Sequence, residues 1–314
     1  MLTTRMVSFP AAVLAGWEWP VIEVVGAADG PRLCVTAGVH GCEYSSIEAA
    51  RRFAGTLEAD RLAGSVVVLP VLNVPAFWGR APFVVPGDGK NLNRCFPGDP
   101  GGSFADALAH EVFERYIRPS DALVDLHGGD MVEALEPFTL YDVSPVEERS
   151  LAMAAAFGLR YVQRMDAPGD FAGMTCTAAA RAGVPAIIAE AGDRGQVDAG
   201  AVELLVAGTR NVARSLGMLP GEPVAAPGPL TLVRSSTVVR TANAGWWDAA
   251  VPCGAEVSGG QRLGVVRDLL GAELEQIVSP ADGLVFVLTT SPAVREGDLL
   301  IEVGSDMEPL TASV

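Results

Sequence analysis

LCVTAGVHGCEYSSIEAARRFA, residues 33–54, changes its periodicity midway. Leu33–Ala37 is a short apolar run of strand length. From Glu43 onward, apolar side chains recur at helical spacing, with Ile47, Ala50, Ala54 and Leu57 on one face of a helix predicted over 43–58. A strand that feeds a helix through a glycine-flanked turn is the building unit of α/β proteins. The same alternation extends outward. Val21–Val25, Val66–Leu72, Ala122–Leu126, Leu159–Gln163 and Pro185–Ala189 read as strands. Phe104–Ile117, stopped by Pro119, and Ser144–Phe157, Phe171–Ala182 and Val197–Leu216 read as helices. The fold class expected is α/β: a mostly parallel central sheet with helices on both faces.

After residue 216 the pattern changes. Residues 217–229 are rich in proline and glycine without a helical period and read as a linker. Beyond it come Val/Leu-rich segments punctuated by glycine: Leu230–Arg240, Ala255–Val257, Gln261–Val266, Gly283–Thr289 and Asp298–Val303. The expected organisation is an α/β domain over 1–216 and a small C-terminal all-β domain over 230–314.

Of 314 residues, 49% are hydrophobic and 19% charged, which supports a large buried core and argues against disorder. The net charge of −16 repels nucleic acid and anionic membranes and excludes both as main partners. Mean hydropathy is +0.31, yet no apolar run approaches the length a spanning helix needs. Residues 1–16 lack a signal pattern, since the apolar run after Arg5 is broken by Pro10. A cytoplasmic location is therefore expected. Lys90 is the only lysine, so lysine chemistry is confined to one position. Cys34, Cys42, Cys95, Cys176 and Cys253 are odd in number and widely spaced, which fits neither a disulfide framework nor a cysteine-rich zinc site.

Three histidines limit the chemistry further. His40 and Glu43 stand at H-x-x-E spacing directly after a strand, so both side chains can face one point. His127 follows the strand Ala122–Leu126, at the sheet end where α/β proteins bind ligands. Two histidines and a glutamate with an open fourth position form a catalytic zinc set. The competing reading makes His40 and Glu43 a helix cap and His127 a buried structural imidazole. Asp125 lies two residues before His127, on the same strand face, where it either orients the imidazole or serves as ordinary strand-end polarity. His110 lies inside a helix and reads as structural. Within NLNRCFPG, residues 91–98, Arg94 offers a planar fork for a carboxylate or oxyanion and Asn93 an amide. Lys90 beside them is a further anion contact or simply exposed. Glu190 ends the buried run Ala186–Ala189, so it is either paired or functional.

His40-x-x-Glu43, Asn93-Arg94 within NLNRCFPG, Asp125-Leu126-His127 and Glu190-Ala191-Gly192, in this order, resemble the succinylglutamate desuccinylase/aspartoacylase family, a branch of the zinc carboxypeptidase-like hydrolases. The resemblance covers roughly residues 30–215, and GKNLNR with FPG is similar to bacterial members of the N-acetyl-diaminobutyrate deacetylase type. Segments Gly254–Val266 and Ser279–Gly283 resemble a barrel-sandwich of the biotinyl/lipoyl type, without the lysine that would carry a swinging arm. The resemblance implies Zn²⁺ held by His40, Glu43 and His127, Glu190 as general base, and Asn93 and Arg94 as substrate or oxyanion contacts. Two places depart from the family: Cys42, where Asp or Asn is commoner, and the absence of any tyrosine after Tyr161, where some relatives hold substrate with one. Trp247, with Trp246, is expected either to wall the substrate pocket in its place or to pack the β domain.

The function expected is a zinc-dependent amidohydrolase acting on a small-molecule N-acyl amino acid or related amide. A zinc peptidase acting on short peptides and an inactive zinc-binding scaffold are the rivals, and a base at Glu190 distinguishes the enzyme from the scaffold. The oligomeric state, homo-oligomers included, is not encoded in any of these motifs.

Overall fold

The computed structural model describes residues 1–166 and 171–310. The first part of the chain forms strands β1 (Leu2–Val7), β2 (Trp19–Val25), β3 (Ala28–Ala37), β4 (Ala63–Leu69), β5 (Ala122–His127), β6 (Glu133–Leu135), β7 (Phe138–Asp142), β8 (Tyr161–Met165) and β9 (Ala186–Glu190). Its helices are α1 (Tyr44–Gly55), α2 (Val74–Gly79), α3 (Phe104–Val112), α4 (Glu147–Phe157), α5 (Thr175–Arg181) and α6 (Ala199–Ser215). The rest is strand: β10 (Thr231–Arg240), β11 (Gly245–Ala249), β12 (Glu256–Val257), β13 (Arg262–Arg267), β14 (Glu273–Val278), β15 (Gly283–Thr289), β16 (Ala293–Val294) and β17 (Leu299–Pro309).

The central sheet runs β1-β2-β4-β3-β5-β9-β7-β8-β10-β17-β15-β12, with β6 added on β15. From β4 to β10 every pairing is parallel except β9 with β7. β3, β5 and β9 are largely apolar before their carboxyl ends because both faces are covered. Leu33, Val35, Val124, Leu126, Ile187 and Ala189 face α1, α4 and α6. Cys34, Leu123, Ala186 and Ile188 face α3 and α5. Alternation along the strands then places Thr36, Asp125, His127 and Glu190 on this second face, at the carboxyl ends.

Several boundaries differ from the sequence reading. The helix expected over Phe104–Ile117 is α-helical only to Val112, and Phe113–Ile117 winds into a wider π-helical turn. β7 and β11 were not anticipated, because five-residue strands carry too little periodicity to stand out. The β segment after the linker is also not a separate layer throughout. β10 pairs with β8, and β17 and β15 continue the same sheet. Only β14-β13-β11-β16 form a sheet of their own.

Phe286 on β15 joins the two parts. Its ring is buried edge-on against Phe138, centroids 5.5 Å apart, and Tyr161, 5.1 Å apart. It lies over Gly304, where any Cβ would strike the ring. Phe286→Ala should therefore cost about 3–5 kcal/mol and lower the urea midpoint of the whole chain in a single transition. A separate early transition for the β segment would show that the segment folds independently.

Candidate active site

Glu43 occupies the N-cap position of α1, but its side chain caps nothing. It turns inward. One carboxylate oxygen meets His40 Nδ1 at 2.5 Å, and the other meets His127 Nδ1 at 3.0 Å and accepts the Gly128 N–H at 3.2 Å. The helix-cap reading of this motif is thereby excluded. Close packing shapes the turn that carries it. A Cβ at Gly41 would fall 2.3 Å from the Phe77 backbone nitrogen, so the chain between His40 and Glu43 passes tightly over α2.

The remote nitrogen of each histidine is also held. His40 Nε2 lies 3.1 Å from Asn91 Oδ1, and His127 Nε2 lies 3.0 Å from Asp125 Oδ2. Asp125 accepts the Thr36 hydroxyl on its other oxygen at 2.7 Å. Both acceptors fix the proton on Nε2, so both Nδ1 lone pairs point toward Glu43. Ligand atoms of His40, Glu43 and His127 lie within 4.8 Å of one another. Two lone pairs and a carboxylate converging in a buried site make a group able to hold a metal ion. Without one, protons must fill the gap. Burial alone would lower the His127 pKa, but Asp125 and Glu43 outweigh it and hold it well above the usual imidazole range. His40 is raised likewise, Glu43 overcoming burial. Glu43, although burial opposes it, is drawn down to about 2 by His127 and His40.

β5 and β9 place His127 directly beside Glu190. Burial drives the Glu190 carboxyl well above its ordinary pKa; Glu43 and Glu133 add to the rise and His127 opposes it. All four side chains face a cavity of about 180 Å³. Arg94 reaches the cavity with its guanidinium 4.7 Å from the Phe171 ring centroid, and its Nη1 donates to the Asn93 carbonyl. Asn93 Oδ1 is taken by Thr175, through both N–H and hydroxyl at 2.9 Å, which ties the loop to α5 and leaves only Nδ2 for a substrate. Lys90 pairs with Asp106 instead of the cavity, and His110 lies on α3 away from it.

Trp247 does not reach the site. It is buried among Leu263, Val266 and Leu300 in the β-segment core, its ring packs over Gly264, and its Nε1 donates to the Thr289 carbonyl. Of the two readings offered for Trp247, the pocket wall fails and packing of the β domain holds, because β11 belongs to the separate four-stranded sheet. Trp246 is half exposed and hydrogen-bonded to Asp248. The C-terminal strands instead contribute Arg240 and Glu302 to the cavity, while Glu133 comes from β6 and Gln163 from β8. Sequence reasoning missed all four. Nothing local marks them: Glu133 stands in a three-residue strand, and Arg240 and Glu302 stand in segments that read as ordinary strands.

The strand ends thus define an α/β protein with a histidine–carboxylate centre lining a cavity. The chain belongs to the succinylglutamate desuccinylase/aspartoacylase catalytic domain family, which it matches over residues 29–216. It is 30% identical over 302 residues to the N-alpha-acetyl-L-2,4-diaminobutyric acid deacetylase of Halomonas elongata, spanning 92% of this chain and 86% of that one. Its fold superposes on a succinylglutamate desuccinylase/aspartoacylase from Rhodobacter sphaeroides with a TM-score of 0.85 at 26% identity, over 99% of this chain and 96% of that one. It also superposes on the product-bound ectoine utilization protein EutE (DoeB) of Ruegeria pomeroyi, with a TM-score of 0.85 at 25% identity, over 96% and 95% of the two chains.

Glu133 gives the site a pH signature. Burial, reinforced by Glu43, pushes its pKa up to about 7 from 4.5. Between these values the folded protein keeps a proton that the unfolded chain has lost, so stability falls as pH rises through the window. Glu133→Gln should flatten this decline in chelator-treated protein, gaining about 3 kcal/mol at pH 8 relative to pH 4. Urea unfolding at the two pH values measures it, and equal slopes for variant and parent would place Glu133 in water.

Proposed function

We propose that the chain is a zinc-dependent deacylase that hydrolyses the amide bond of a small N-acyl amino acid. The observation that carries this reading is the convergence of His40, Glu43 and His127 with Glu190 level beside them in one cavity. Family membership and the name of the Halomonas relative support the amide substrate. The donors suit zinc, since magnesium prefers all-oxygen shells. Zinc, when bound by His40, Glu43 and His127, supplies Lewis-acid polarisation and a water acidic enough to attack near neutral pH.

The remaining steps belong to the side chains. Asp125, braced by Thr36, keeps His127 in the tautomer and orientation that present Nδ1. Asn91 does the same for His40. Glu190 accepts the proton of the attacking water and delivers it to the nitrogen of the breaking C–N bond, so the amine leaves neutral. Its place beside His127 at the strand ends suits a group that must both take and return a proton. Arg94, steadied over Phe171, pairs with the substrate carboxylate or with the developing oxyanion. The apolar wall of Phe138, Leu140, Met174 and Ile188 excludes bulk water.

Two variants separate metal binding from proton transfer. His127→Ala should lose the roughly one zinc per chain that the parent binds after purification in zinc-containing buffer. Zinc retention by that variant would remove His127 from the ligand set. Glu190→Gln should keep its zinc while kcat for an N-acetyl amino acid falls by about 10²–10⁴-fold. A kcat within a few-fold of the parent would end the base assignment.

A further inference from the structure

An aromatic ring does wall the cavity beside the histidine–carboxylate centre, in a loop rather than on β11. Phe83 follows α2, and its ring meets the His40 imidazole edge-on, centroids 6.0 Å apart. It lines the catalytic cavity and also an outer cavity of about 780 Å³. Asn91, Glu133, Arg240 and Leu299 line both spaces as well, so the two abut along this partition. Asn91 is spent on His40, Glu133 and Arg240 are polar, and Leu299 comes from β17. Phe83 is thus the apolar part of the partition that stands against His40.

The backbone holds this ring in place at a cost. The Val84 N–H donates to the Pro82 carbonyl at 2.7 Å across Phe83, whose φ is +61°. A three-residue turn of this hand is rare and strained, most of all for a bulky side chain. Two ties maintain it. The Phe83 N–H donates to Asp130 Oδ2 at 2.8 Å, and the other Asp130 oxygen accepts the Met131 N–H at 2.6 Å. Asp130 is fully buried, so a carboxylate that is costly to bury is kept on two backbone donors, one of them the strained residue. Val84 also bridges Asn91, which couples the turn to the residue that orients His40.

The order of the strands says which half of a substrate meets Phe83. His40, His127 and Glu190 stand at the ends of β3, β5 and β9, which are neighbours in that order. Glu190 delivers its proton to the amide nitrogen, so the amine half lies at the Glu190 end of the row. The acyl half extends the other way, toward His40. We propose that Phe83 is the specificity residue that closes the acyl end of the cavity and restricts the substrate to short acyl groups, and that Asp130 is the positioning residue that holds its ring there. The inference rests on the deacylase reading and deepens it by assigning the residue that measures acyl length. Removing the ring joins the catalytic cavity to the outer one, where Pro82, Val84, Val132 and Leu299 offer a longer chain apolar surface.

The test varies one end of the substrate at a time. N-acetyl, N-butanoyl and N-hexanoyl derivatives of one amino acid form the acyl series, and N-acetyl derivatives of small and large amino acids form the amine series. Zinc-loaded parent should favour acetyl over hexanoyl by about 10–200-fold in kcat/KM, the range by which a pocket discriminates chain length. In Phe83→Ala that ratio should fall to within a few-fold of one, while the order of the amine series stays as in the parent. Asp130→Asn keeps the ring but loosens its turn, and should shift the acyl ratio in the same direction by a smaller factor. Calorimetry with acetate, butanoate and hexanoate should show binding that weakens with chain length in the parent and no longer does so in Phe83→Ala. Equal turnover of acetyl and hexanoyl substrates by the parent, which needs no variant, overturns the inference. So does an undiminished acyl ratio in folded Phe83→Ala, or a change confined to the amine series. An unchanged ratio in Asp130→Asn removes Asp130 from the positioning role. If the parent hydrolyses none of the substrates, the deacylase reading fails, and the calorimetric length dependence alone then decides the role of Phe83.

Discussion

The register of three parallel strands is the constraint on which the site depends. β3, β5 and β9 end level, so Thr36 stands beside Asp125 and His127 beside Glu190. A slip of one residue in β5 would send Asp125 and His127 to the opposite face, among Val124 and Leu126, and leave Glu43 buried without either proton or cation from His127. Apolar alternation on both faces forbids that slip. The hydrophobic pattern that makes the sheet therefore also sets the geometry of the polar centre, and Glu43 is tolerable in the interior only because two imidazoles reach its two oxygens.

Chemistry and shape come from different parts of the chain. The converging His40, Glu43 and His127 and the neighbouring Glu190 all lie within residues 29–216, the extent of the family match. The far wall of the cavity is built by β10 and β17, through Val238, Arg240, Leu299 and Glu302. Residues that bring strand ends together serve any amide hydrolysis. Residues on the later strands line the end of the cavity away from Glu190. This division suits a family whose members share a reaction and differ in what they accept.

Much of the centre was legible because strand ends leave strong signals. His40, Glu43, His127 and Glu190 each follow an apolar run of strand length, and period two alone paired Asp125 with His127. The order of motifs then resembled a family that the chain proved to belong to. What remained hidden depended on partners distant in sequence. Asn91 and Asn93 look alike in NLNR, yet one orients His40 and the other fastens a loop to Thr175. Glu302 and Arg240 sit in strands that read as ordinary β segments. Trp247 stood open between pocket wall and β-domain packing, and only the layer its strand joins decides for packing. The linker at 217–229 suggested an appended domain, and nothing local revealed that β10 returns to pair with β8.

That return has a consequence for how the protein is made. Synthesis proceeds from the N-terminus at roughly 5–20 residues per second. When β8 has left the ribosome, its outer edge is an open row of amide and carbonyl groups. It stays open until β10 emerges after α5, β9, α6 and the linker, and β10 in turn waits for β17. For several seconds the nascent chain exposes a hydrogen-bonding edge of the kind that recruits other chains. The hydrophobic surface that Phe286 later covers on Phe138 and Tyr161 lies beside it. The catalytic cavity likewise lacks a wall throughout this interval. A nascent chain passes through its most aggregation-prone stage before it has any enclosed site, which makes this late-closing edge a natural client surface for chaperones that bind extended apolar strands.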